Sequence, residues 1–343
     1  MISSAQPQPN TRLIIADGLS GSGKSTFCQW LELQLRSNKI KAHWLFEADV
    51  PHPLHWWNYW DGASYRAPDF DQSSPSEFIA TSIAKWRDFA RTVRALDTVY
   101  VVESSLFLLG LGMLLQANAQ PAELIEYGRQ VHAIIEDLDP FLIYFRQTDV
   151  AAHVRKICDI RGKGFEAELI ANMERTPFFR DRGLRGIAGI VRLWSETQQI
   201  TDDLIPVYTI RKLTFEASRG DWEDYREQTR NLLSLPEERH VVSVSDLAPL
   251  TGSYWYREGD SVQRCDVVLE GARLTVRSSA PQGVGFFFAG PSRELIPIDR
   301  RTFYAGVSTV VITFIEHADG VVQELRVDFT RLGGGGTWVW TRE

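Results

Sequence analysis

The sequence predicts an α/β domain, a parallel sheet with helices on both faces, followed by a small antiparallel all-β barrel or sandwich. Three observations carry this. Through the first two-thirds of the chain, β-branched and aromatic runs alternate with helix-length stretches, as in a parallel sheet with crossover helices. From about Val241 the helical pattern stops. Short alternating segments then recur between turns of Gly, Pro, Asp and Ser, the pattern of a closed or sandwiched antiparallel sheet. A length of 343 residues, 44% hydrophobic and 24% charged, suits a soluble globular protein of two domains.

Met1 to Asn10 is polar with two prolines, which predicts a disordered tail over 1–10 that is neither signal peptide nor membrane span. The α/β domain is expected over 11–235. Leu13 to Ala16 is its first strand, and Thr26 to Arg36 its first helix, with Phe27, Trp30, Leu31 and Leu35 on one side. Further strands are Ile40 to Phe46, Thr98 to Val102, Phe141 to Phe145, and a fifth within Val207 to Phe215. Helices are Ser76 to Leu96, Pro121 to Leu138, Asp149 to Ile160, Gly186 to Leu204 and Trp222 to Leu233. A linker is expected over 236–246, then the β domain over 247–343. Its segments are Ser253 to Arg257, Cys265 to Glu270, Ala272 to Arg277, Val284 to Phe288, Glu294 to Ile298, Thr309 to Glu316, Val321 to Phe329 and Thr337 to Trp340. Ala318-Asp319-Gly320 reads as a hairpin turn, and Gly333 to Gly336 as a turn before the last strand.

Composition narrows the function classes. Cys28, Cys158 and Cys265 lie far apart, which argues against a zinc site or disulfide framework and for a reducing compartment, the cytoplasm by default. A net charge of −7, with no lysine after Lys212, argues against nucleic acid as a partner. No membrane partner is expected.

The run Gly18-Leu19-Ser20-Gly21-Ser22-Gly23-Lys24-Ser25 fits the phosphate-loop pattern G-x-x-x-x-G-K-[ST] at every fixed position, between a predicted strand and a predicted helix. Glycines let backbone N–H groups turn inward around an anion, and the helix N-terminus adds partial positive charge. Gly18, Ser20, Gly21, Ser22, Gly23, Lys24, Ser25 and Thr26 are therefore expected to hold a nucleoside triphosphate. ATP and Mg²⁺ are the expected cofactors, with Lys24 on the β- and γ-phosphates and the Ser25 hydroxyl on the metal. Glu47 and Glu103 stand at the ends of the second and third predicted strands, where a parallel sheet opens its ligand crevice. Two carboxylates there divide the work: one takes a hydroxyl proton, the other orients Mg²⁺. Arg155 and Arg161, six residues apart, do not share a helix face. They suit a helix that breaks near Gly162 and brings guanidinium charge over the transferring phosphoryl group.

Over roughly residues 10 to 235 the chain resembles the P-loop nucleoside and nucleotide kinases, particularly thymidylate kinases and deoxynucleoside kinases. The resemblance rests on Asp17-Gly18…Gly23-Lys24-Ser25-Thr26, Glu47, Glu103 and the lid-like Arg155…Arg161. It implies a P-loop kinase fold and ATP:Mg²⁺-dependent phosphoryl transfer to a nucleoside, nucleotide or similar hydroxyl-bearing small molecule. The general base of deoxynucleoside kinases maps onto Glu47, with Asp49 as a second candidate, and Glu103 supports the metal. The signature arginine after the third strand is replaced by Ser104, which keeps a non-nucleoside metabolite or antibiotic open as the acceptor. A nucleotide-dependent switch without transfer is the reading from another class. The β domain is similar to small lipocalin-like barrels.

Pro51 to Asp71 is rich in rings, and His55, Trp56, Trp57 and Trp60 are candidate acceptor-binding residues that could stack on a planar group. The competing reading packs them into an irregular loop or an interdomain interface. A homodimer is the candidate assembly.

Overall fold

A computed structural model describes residues 11–57, 68–71, 74–237, 242–278, 293–318, 320–333 and 336–342. The tail expected over 1–10, Trp60, the strand expected at Val284 to Phe288, and part of the linker and of both glycine turns lie outside the described residues. The chain forms two compact units: the first takes in 11–47, 52–57, 68–71 and 74–237, the second 48–51 and the described residues from 242 onward.

The first unit is a five-stranded sheet in the order β2-β3-β1-β4-β5, with every pairing parallel. Its strands are β1 (Leu13–Gly18), β2 (Ala42–Leu45), β3 (Val99–Glu103), β4 (Phe141–Arg146) and β5 (Arg211–Glu216). Both faces are covered, so the central strands are apolar throughout instead of alternating. Leu13 and Ile15 of β1 enter the core beneath α2 (Pro75–Ala95), α4 (Pro121–Ile135), α5 (Val150–Glu174) and α7 (Gly186–Leu204). Ile14 and Ala16 face the opposite core, which α1 (Lys24–Ser37) closes with Phe27, Leu31 and Leu35, and α8 (Trp222–Leu233) with Tyr225 and Leu233. Two helix starts are written locally: Ser74 and Glu77 form a capping box before α2, and Asp149 caps α5 by accepting from Ala152 N–H at 2.8 Å.

Three details differ from the sequence reading. α5 consists of two helical stretches that meet at Gly162 (φ 84°, ψ 173°). The first ends where the sequence places its end; the second, over 163–174, is missed by the sequence reading although Phe165, Leu169, Ile170 and Met173 renew an apolar stripe against the core. Helical turns at Phe107–Leu111, α3 (Gly112–Gln116) and α6 (Pro177–Arg182) are not legible in the sequence, being too short for periodicity to register. Residues 48–51, assigned by sequence to the α/β domain, belong to the second unit: Val50 N–H donates to Arg331 O at 2.6 Å, and Val50 bridges to Leu332.

The second unit is a closed barrel of eight antiparallel strands: β6 (Gly252–Glu258), β7 (Ser261–Glu270), β8 (Arg273–Ser278), β9 (Arg293–Pro297), β10 (Thr302–Ala305), β11 (Val311–Glu316), β12 (Val322–Asp328) and β13 (Thr337–Arg342). Pairing of β13 with β6 and of β9 with β10 closes it, which removes the sheet edges. Alternate residues such as Cys265 and Val267, Ile312 and Phe314, or Leu325 and Val327 are buried, with Tyr254 and Trp340 among the largest. β10 escapes sequence reading, its four residues lying between Arg301 and Gly306 without a clear alternation. Among the described residues, no helix is long and apolar enough to cross a membrane.

Candidate functional site

β1 is flanked by β3 and β4, not by β2, so the strand order reverses there, and in open parallel sheets ligands bind beyond the carboxyl ends of the strands at such a point. The glycine loop between β1 and α1 stands at this point. Gly18, Gly21 and Gly23 have φ of 148°, 74° and 90°, a region closed to most side chains. Space excludes a side chain as well: a Cβ would meet Phe145 O at 2.3 Å from Gly18, Ile157 Cδ1 at 2.7 Å from Gly21 and Trp222 Cη2 at 2.2 Å from Gly23. Among the described residues no side chain caps α1, whose N-cap is Gly23.

Lys24 is 4% exposed and folds back, its Nζ donating to Leu19 O at 2.9 Å. Ser25 Oγ donates to Glu103 Oε1 at 3.0 Å, tying the helix start to the end of β3. Glu103 is fully buried, and Trp44 Nε1 (3.0 Å) and the Glu47 N–H (3.3 Å) also donate to its carboxylate. Burial raises its pKa to about 8 and the charge of Glu47 adds to this, while Lys24, the Glu47 N–H and Ser25 act in the other direction. Glu47 is half-buried. The structure thus brings Lys24, Ser25, Glu47 and Glu103 together. Ser22 Oγ, in the loop and buried, has no hydrogen-bond partner among the described residues.

Asp17, fully buried at the end of β1, accepts four backbone N–H bonds: from Gly18 (2.8 Å), Leu106 (2.9 Å), Phe107 (2.8 Å) and Leu108 (3.0 Å). Burial raises its pKa, opposed by Lys24 and by the N–H groups of Phe107, Gly18 and Leu108. It binds β1 to the helical turn after β3 and so fixes the loop against Glu103. Ser104 makes the intervening bend, with φ 59° and a fully buried side chain whose Oγ has no partner among the described residues. It cannot contact a solvent-borne acceptor without rearrangement. A left-handed non-glycine residue costs about 1–2 kcal/mol and an unpaired buried hydroxyl a similar amount. Ser104→Gly is therefore expected to raise the thermal midpoint by a few degrees, corresponding to about 1 kcal/mol after the added freedom of the unfolded chain. A lowered midpoint in calorimetry would show that the hydroxyl contributes a bond.

The remaining expectations divide. On α5, His153 and Ile157 share the face toward the loop, His153 Nε2 lying 2.9 Å from Ser20 O. Arg161, one turn beyond Ile157, is exposed and lies 4.8 Å over the Phe165 ring. Arg155 is exposed and turned about 200° from His153 around the helix, so it leaves the loop-facing side. Asp49 is not available as a base or acceptor contact: it is 4% exposed, Thr309 Oγ1 donates to it at 2.7 Å, and Arg331 pairs with its other oxygen.

His55 and Trp56 take the packing role. The His55 ring stacks between His52 (3.7 Å between centroids) and Trp57 (5.4 Å), while Trp56 packs 4.4 Å from Phe78. Burial, with the charge of Lys85, lowers the His55 pKa to about 3. An unfolded histidine titrates near 6.5, so between these values the unfolded chain binds the extra proton. Stability from this group is complete above about pH 6.5 and declines as pH falls toward 3, by at most ~1.4 kcal/mol per pH unit. Urea midpoints at pH 7 and pH 5 are expected to differ less in His55→Phe than in the parent; equal differences would remove His55 as the cause.

Sequence reasoning misses Trp44, His153 and Trp222 as supports of the site. Trp44 leaves a trace, since an indole N–H inside a buried strand needs a partner. His153 and Trp222 leave none, being far from the loop in the chain. Among the described residues, no cluster of three or more His, Cys, Asp or Glu side chains could hold a metal. No protein-family model matches this chain, and neither does any curated protein.

Proposed function

We propose that the first unit binds ATP with Mg²⁺ and transfers its γ-phosphoryl group to a hydroxyl-bearing small molecule. The observation that carries this reading is the Ser25–Glu103 hydrogen bond at 3.0 Å, which sets a hydroxyl and a carboxylate beside the glycine loop and Lys24. The donor set fits the cofactor. Hard oxygen ligands suit Mg²⁺, which is usually held by few protein groups together with phosphates. The Ser22 hydroxyl, unpartnered among the described residues, and the uncapped start of α1 suit phosphate oxygens. Mg²⁺, when bound, neutralises charge on the phosphates.

In this reading the loop amides and Lys24 hold the triphosphate. Ser25 offers its oxygen to the cation, and Glu103 stands behind it as hydrogen-bond partner, an arrangement that fixes a ligand's orientation. Glu47 takes the acceptor's proton. Arg161, before the break at Gly162, supplies guanidinium charge; Arg155 does not face the loop and is assigned no role in transfer.

The buried Ser104 favours a particular acceptor class. With serine and not arginine at that bend, no cation follows Glu103, so an uncharged acceptor such as a non-nucleoside metabolite or antibiotic fits better than a nucleoside monophosphate. Incubation with ATP, Mg²⁺ and a broad metabolite pool, read by mass spectrometry, tests the proposal. A phosphorylated product supports transfer, and nucleotide binding without product supports a switch. Absence of binding removes both.

A further inference from the structure

We propose that His153 is a positioning residue of the glycine loop: its Nε2–H holds the Ser20 carbonyl outward, so that the loop's N–H groups converge on the anion. This rests on the phosphate-binding reading above and adds a residue to it. A loop that points successive N–H groups inward must turn carbonyls away, and each shielded carbonyl needs a donor. Leu19 O has two, Lys24 Nζ at 2.9 Å and Ser22 N–H at 3.2 Å. Ser20 O has the His153 ring at 2.9 Å, reaching across from a helix 133 residues later in the chain.

A carbonyl can only accept, so Nε2 carries the hydrogen. The ring is 8% exposed and stands 6.4 Å from the Trp194 ring, which restricts its plane. Burial lowers the His153 pKa, with Lys24 and Lys156 acting in the same direction and the Ser20 bond opposing, which suits a neutral donor. One turn along α5, Ile157 lies where a Cβ on Gly21 would be. The helix therefore braces adjacent loop residues twice, once through a polar bond and once through apolar contact. Val154, Ile157 and Cys158 bury the same helix independently, so removing the imidazole leaves its packing in place.

The test compares His153→Leu, which fills space without a donor, with His153→Gln, whose amide reaches similarly and retains N–H. Amide hydrogen exchange over Ser20 to Ser25 is measured without nucleotide, and affinity for a fluorescent ATP analogue with Mg²⁺ separately. In His153→Leu, loop exchange is expected to quicken and affinity to fall, each roughly tenfold, the factor of one lost hydrogen bond. His153→Gln is expected to stay within roughly threefold of the parent on both, the neutral replacement donor restoring the bond. Parent-like loop exchange in His153→Leu overturns the proposal, as does equal loss in both variants. If the parent binds no ATP analogue, the phosphate-binding reading fails, while the exchange comparison still decides whether His153 holds the loop.

Discussion

Lys24→Ala is expected to lose ATP-dependent turnover by roughly 10³-fold or more, the scale of removing a cation aimed at transferring phosphoryl charge. The fold is expected to survive. The ammonium bonds to Leu19 O, a contact within the loop itself, and the side chain belongs to neither apolar core. Its loss leaves the buried carboxylates of Asp17 and Glu103 with less opposing charge, so both pKa values rise further and stability falls modestly. Circular dichroism establishes folding and product formation establishes turnover. A folded variant with parental turnover would sink the assignment of the glycine loop to the triphosphate.

The second large effect separates the two carboxylates. Glu47→Gln keeps the shape of a half-buried side chain and removes its basicity. Turnover is expected to fall by roughly 10²–10⁴ with nucleotide affinity nearly unchanged, as for loss of a general base. Glu103→Gln is expected to act differently, because its carboxylate is fully buried and already receives Ser25 Oγ, Trp44 Nε1 and the Glu47 N–H. An amide cannot accept on both sides: with its oxygen kept on Ser25 Oγ and the Glu47 N–H, its NH₂ meets the Trp44 N–H, and in either orientation the negative charge behind Ser25 is lost. The Mg²⁺ concentration for half-maximal activity then rises. Titrating Mg²⁺ against turnover in both variants distinguishes the roles; exchanged phenotypes would reverse them.

Much of this arrangement is legible in the chain's local patterns. An unbroken apolar strand followed by G-x-x-x-x-G-K-S and an amphipathic stretch encodes strand, loop and helix through local interactions, and β1 and α1 form where those patterns predict. The same holds for α7 and α8, and for the short alternating segments of the last third, which form barrel strands from Gly252 onward, although a short helix at Val244–Leu247, which the sequence reading places in the linker, precedes them. Gly162 announces the break in α5, because glycine alone takes its left-handed backbone without strain.

Other features depend on residues distant in the chain. Asp49 follows Glu47 by two positions and reads as a site residue, yet Thr309 and Arg331 engage it, some 260 and 282 positions away. His55 and Trp56 read as a stacking surface, but burial against His52, Trp57 and Phe78 is more favourable for rings than exposure. Arg155 and Arg161 are both read in sequence as charge over the phosphoryl group, and the orientation of α5, set by Ile157 against Gly21, turns Arg155 away from the loop. The sequence by itself determined the two folds, the glycine loop and the carboxylates at the strand ends, because each follows from local periodicity and motif spacing. Tertiary structure alone decided which buried group meets which, because hydrogen-bond partners such as Ser20 and His153 are chosen by packing between elements that carry no record of one another in the chain.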